Sequence, residues 1–237
     1  MAEGGIKVAW RSLFAPSSWA FAIWGAIYTG ELLTTLYVGL KGREELRSAS
    51  LFWLAGNVFQ CLWCAVFRPR FKSALWLPAL MLGLSSASFF GAHNQISMAI
   101  SSKPDFAAKI PLLLLRAPIA LHCAWVAGAS LLNLNGWAAV SNLPLFKQLS
   151  IAYASVYSAT LLGAGYSLYS KDPLVGLTVA WTLAALYSKT QSDCDVKIDP
   201  VAVESLAFTE NLLSKSMVAL SIVAPIASSI ATKKMMF

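Results

Sequence analysis

Charge is what this chain has least of. Asp, Glu, Lys and Arg make up 12% of its 237 residues, against 57% hydrophobic ones. A soluble domain of this length hides a large core, but not that fraction spread over so many long apolar runs. Histidine occurs twice and cysteine four times. Three of the cysteines, Cys61, Cys64 and Cys123, lie inside apolar runs, which argues against a secreted disulfide framework. Cys61 and Cys64 form a CxxC in mid-helix, away from the exposed helix N-terminus where such pairs are redox-active. No nucleophile–base pair and no metal-ligand spacing is present, so neither an enzyme nor a metal centre is expected. The segment 189–205, KTQSDCDVKIDPVAVES, holds several carboxylates without EF-hand spacing and reads as a solvated loop. The first dozen residues, MAEGGIKVAWRS, lack the apolar run of a cleavable signal peptide.

The apolar runs predict an all-α, polytopic transmembrane bundle of about seven spans, six being the lower count. They fall near 18–40, 50–67, 74–95, 110–133, 148–168, 173–188 and 208–231, and the whole chain, 1–237, reads as one membrane domain. The runs are apolar on all sides, unlike the alternating ~10-residue strands of a membrane barrel. The span 173–188 is short for a ~30 Å hydrocarbon core. The net charge of +7 comes largely from connections such as Arg68, Arg70 and Lys72. Lipid headgroups are the expected partners of these residues, and nucleic acid is not. Basic residues divide almost evenly between the two sides, so they do not set an orientation.

Polar residues inside the spans carry the functional signal. In 14–31, FAPSSWAFAIWGAIYTGE, Phe21, Trp24, Tyr28 and Glu31 recur at steps of three and four on one helix face. A carboxylate at mid-span costs roughly 2.5–3.5 kcal/mol on insertion scales, so Glu31 is expected to face protein or a pocket. In the second span Trp53, Asn57, Gln60 and Cys64 form a stripe, read as interhelical glue or a pocket lining. In the fourth span His122, Trp125, Ala129 and Asn133 lie within roughly 60° of one another. His122 either ligates a tetrapyrrole metal or hydrogen-bonds a ligand, or else hydrogen-bonds a neighbouring helix; His93 is expected at the interface. Glu31 and Arg116 come out at similar depth, which predicts that they pair or share a cluster unless Arg116 snorkels alone. Ser155, Ala159 and Gly163 make a small-residue packing ridge.

Three blocks resemble the tryptophan-rich sensory protein (TspO, or translocator) family. FAPSSWAFAIWGAIY is similar to its proline–tryptophan segment at Pro16, Trp19, Phe21, Trp24 and Tyr28. FQCLWCAVF is similar to its next helix at Trp63 and Phe67, with Gln60 at an Asn position. WVAGASLLN is similar to its last helix at Trp125, Ala129, Leu132 and Asn133, with Gly128 in place of Phe. The likeness covers 14–135, so the first four spans resemble family helices two to five. The family's first helix is missing, and the residues 148–231 add C-terminal helices, one of which could fill the vacant place. After Asn133 the family's sterol-recognition segment is absent.

The resemblance implies an aromatic pocket for porphyrins, sterols or similar flat apolar ligands. The candidate ligand-binding residues are Trp19, Phe21, Trp24, Tyr28, Glu31, Gln60, Trp63, Arg116, His122, Trp125 and Asn133. The expected ligand is a tetrapyrrole such as porphyrin or chlorophyll, a carotenoid, a sterol or a lipid, bound for sensing or transfer. Two other readings stay open: a structural or pigment-contacting subunit of a larger membrane complex, such as a photosystem–antenna assembly, and, less favoured, a transporter. Membrane lipids are expected partners, with other membrane subunits or a homo-oligomer as further ones. An organellar membrane, plastid or mitochondrial, is the expected location, with a bacterial inner membrane as the alternative.

Overall fold

The computed structural model describes residues 15–41, 46–103 and 106–194, with five helical positions between 211 and 226. The described residues form six long helices and no strand: α1 (Ile23–Lys41), α2 (Arg47–Val66), α3 (Trp76–Ser101), α4 (Phe106–Val140), α5 (Leu145–Ser170) and α6 (Pro173–Cys194). Short 3-10 turns at Ser18–Ala22 and Pro69–Ala74 precede α1 and α3. The expected span 208–231 lies largely outside the described residues. The expected short span 173–188 forms the first part of the 22-residue α6, which continues through the polar residues 189–194. Among the described residues, two helices have by themselves the length and apolarity of a crossing, α2 and the Pro111–Val140 stretch of α4. The first is mostly exposed, as a lipid-facing helix would be, and the second mostly buried.

The buried one is the hub. α4 packs against α1, α3, α5 and α6, and α3 lies between α2 and α4. In lipid no hydrophobic force separates helix from tail, so close packing and interhelical hydrogen bonds hold a bundle together. Both occur here. Ser85 donates to the Gly56 carbonyl (2.8 Å), Ser86 to the Cys123 carbonyl (3.0 Å), and Ser130 to the Ala79 carbonyl (2.7 Å). Ser155, Ala159 and Gly163 are buried along α5, and Asn135 of α4 donates to Ser155 (2.8 Å).

Two glycines set the helix registers that matter for the site. α4 runs unbroken through Pro111 and Pro118. A Cβ on Gly30 would lie 2.7 Å from the Pro118 ring, so α1 meets α4 there at a distance only glycine permits. A Cβ on Gly56 would lie 2.8 Å from the Phe89 ring, which is fully buried between α2, α3 and α4. α6 closes the other side of α1. Trp181 donates to the Ala20 carbonyl (3.1 Å), and the Ser17 amide donates to the Ala185 carbonyl (2.9 Å). α6 thus packs beside α4 and the 3-10 turn that precedes α1.

Candidate functional site

The Gly30–Pro118 contact places Glu31 beside His122, one turn further along α4. The His122 ring is fully buried; its Nδ1 lies 2.5 Å from Glu31 Oε1, and its Nε2 lies 2.7 Å from Gln60 Oε1. Gln60 donates through Nε2 to the Tyr28 hydroxyl (2.8 Å), and Trp53 donates through Nε1 to Glu31 Oε2 (3.0 Å). A continuous polar bridge thus runs Tyr28–Gln60–His122–Glu31–Trp53, alternating between α1, α2 and α4.

The Gln60 amide gives its N–H to Tyr28 and turns its oxygen toward His122 Nε2. A carboxylate and an imidazole are tolerated at this depth because each is held by hydrogen bonds from neighbouring helices. Phe89 lies flat on the imidazole, with centroids 3.8 Å apart.

An aromatic cluster adjoins the bridge on the side toward the start of α1. Trp24 stacks on Tyr28 (5.0 Å) and meets His122 and Trp125 edge-on (5.6 and 6.1 Å). Phe21 meets Trp125 edge-on (5.6 Å), and Trp63 packs against the same cluster. Trp63 Nε1 reaches Asn133 Oδ1 at 3.5 Å, a long contact. Trp24 and Trp63 are half-buried, and Phe21 and Tyr28 are exposed along part of each ring. Trp125 is 1% exposed, and among the described residues its indole N–H has no hydrogen-bond partner.

Cavities flank α1 elsewhere. One of about 370 Å³ lies between the start of α1, Leu121 of α4 and Trp181 of α6. Another, of about 380 Å³, lies between the second half of α1 and the first half of α2, with Glu31 and Trp53 in its wall.

The structure brings together Trp24, Tyr28, Glu31, Gln60, His122 and Trp125, with Phe21, Trp63 and Asn133 at the edge. Trp19 turns away and meets Trp181 of α6 edge-on (4.7 Å). Arg116 is not part of the group. The expected pairing of Glu31 with Arg116 is corrected: Arg116 Nε bonds Asp172 Oδ2 (2.9 Å), and Nη1 donates to Ser97 (3.3 Å). His93, expected at the interface, is fully buried and lies 2.9 Å from the same Asp172 oxygen and 3.1 Å from the Tyr166 hydroxyl. The cause is one residue in the α5–α6 turn. Asp172 folds back between α3 and α4, while its other oxygen accepts the Leu174 amide at the start of α6. Burial pushes the Asp172 carboxyl up, but the His93 hydrogen bond and the Arg116 charge outweigh it and hold the group below the usual carboxylate range.

Sequence reading missed Phe89 and the Asp172 cluster. Phe89 belongs to no polar stripe; only its place on the α3 face that includes Leu82, Ser85 and Ala92 marks it as inward. In the second-span stripe, Gln60 and Trp53 reach across helices. Asn57 instead donates to the Trp53 carbonyl of its own helix (2.9 Å), and Cys64 is exposed.

No curated protein and no solved structure matches the chain. A family profile described as TSPO-like protein matches residues 2–223, nearly the whole sequence and well beyond the 14–135 core. The chain is a member of the TSPO-like family of membrane proteins.

Proposed function

We propose that this membrane protein binds a planar apolar ligand against Trp24, Tyr28 and Trp63, over Trp125, for sensing or transfer and without catalysis. The observation that carries the reading is the Trp125 indole N–H, buried among partly exposed rings with no acceptor among the described residues. An unmet buried donor costs ~1–3 kcal/mol. A flat ligand with an acceptor at its edge supplies that bond while its faces cover ring surface. A tetrapyrrole carboxylate or carbonyl and a sterol oxygen both have the required chemistry. Glu31, Gln60 and His122 are engaged with one another and with Tyr28 and Trp53, so they form the wall of this site and the Trp125 N–H is its open donor.

The test is tryptophan quenching on titrating the purified chain with protoporphyrin IX. Saturable quenching at one ligand per chain is expected. Trp125→Phe keeps the ring and deletes the donor; it should weaken binding about tenfold, the worth of one hydrogen bond of ~1.4 kcal/mol. Quenching that never saturates, or that Trp125→Phe and Trp24→Ala leave unchanged, contradicts the proposal.

A further inference from the structure

The polar bridge has two sides, and the second cavity lies on the side away from the aromatic cluster. Between Glu31 and the end of α1 the two helices part, leaving about 380 Å³. Ala92 and Ile96 of α3, with Leu115 and Ile119 of α4, form the floor. The hydroxyls in the walls are already spent: Thr34 donates to the Gly30 carbonyl (2.8 Å), Thr35 to the Glu31 carbonyl (2.8 Å) and Ser50 to the Leu46 carbonyl (3.0 Å). The space is therefore apolar, and such walls do not give water the two to four partners it needs. The space is a cleft open along one side, where Thr35, Gly39 and Leu54 are exposed, and its apolar walls suit an apolar occupant.

One end of the cavity differs. Glu31 is among its wall residues, its carboxylate held by Trp53 on Oε2 and by His122 on Oε1. Each carboxylate oxygen has two lone pairs, so acceptor capacity remains on both. Both oxygens already have a protein partner, so one further hydrogen bond from a neutral hydroxyl completes this end. We infer that this cavity is a second ligand site, taking a slender apolar molecule whose single polar end is a hydroxyl that donates to Glu31. It is separate from the aromatic site and does not depend on it.

The test uses a long-chain alcohol carrying a diazirine in its chain, with the full-length protein in lipid nanodiscs. Irradiation is followed by peptide mapping. Carbene insertion is expected in the peptides holding Leu46–Leu54 and Ala92–Ile96. Unlabelled dodecanol should suppress it at a concentration at least about fivefold lower than dodecane or dodecyltrimethylammonium, the difference one hydrogen bond makes. Ala92→Phe fills the floor and should abolish the labelling. Gly39→Leu is the second blocking variant, since a Cβ there meets nothing within 4 Å and the fold has room for it. Insertion elsewhere, equal suppression by dodecane, stronger suppression by the cation, or labelling that survives both variants overturns the inference. Porphyrin quenching should be unchanged in Gly39→Leu, which separates this outcome from that of the aromatic site.

Discussion

At the scale of single residues, the bridge explains why a mid-span carboxylate is tolerated. Glu31 is 5% exposed and His122 is fully buried, yet both find hydrogen-bond partners on neighbouring helices. Gln60 is the piece with no substitute, because its amide receives from His122 and gives to Tyr28 at once. Gln60→Leu leaves the imidazole N–H and the tyrosine oxygen without these partners. It should lower stability in detergent by about 1–3 kcal/mol, read as a drop in the thermal unfolding midpoint. Gln60→Asn, a shorter amide, should rescue little of that loss. The residue types of this bridge were legible in the sequence, since amides, acids and imidazoles inside apolar spans have few places to go. Their pairing was not. Equal depth for Glu31 and Arg116 was a sound inference from helix rise, but depth alone does not say which faces meet. Asp172 sits in a turn, where sequence reading expects water.

At the scale of helices, glycine fixes the geometry that side chains then exploit. Gly30 lets α1 settle on Pro118, and Gly56 lets α2 settle on Phe89. Gly25 and Gly165 face open space. Helix propensity alone makes Gly→Ala favourable by roughly 0.5–1 kcal/mol. Gly25→Ala and Gly165→Ala should therefore leave the unfolding midpoint unchanged or raise it. Gly30→Ala and Gly56→Ala push into a proline ring and a buried phenylalanine, and should lower it by the equivalent of ~1–3 kcal/mol. The apolar periodicity located the helices well, but their ends extend past it. α3 runs to Ser101 and α4 to Val140 because polar and small residues continue a helix once it leaves the apolar layer. The family blocks indicated which faces carry rings. They gave no sign that Trp19 would leave the cluster for α6, because its partner Trp181 belongs to a helix beyond the three blocks.

At the scale of the whole molecule, two buried polar centres organise the bundle. The Asp172 cluster ties α3, α4 and the α5–α6 turn together through His93 and Arg116. Its carboxyl is held below its ordinary value, so its stabilising contribution is present above the unfolded value of ~3.9 and is lost as pH falls through the folded value. The unfolding midpoint of the purified protein should drop on acidification below about pH 4. Asp172→Leu should lose that acid-induced drop while being less stable at neutral pH, because Arg116 and His93 are left buried without it. The His122 centre joins α1, α2 and α4 and separates the aromatic site from the apolar cavity, so both binding proposals depend on it. A double-mutant cycle on Glu31→Gln and His122→Gln, followed by thermal unfolding in one detergent, tests that convergence directly. Direct contact predicts a coupling energy of about 0.5–3 kcal/mol. Additivity of the two single changes within ~0.3 kcal/mol would mean that the helices do not meet at His122, and would contradict the account.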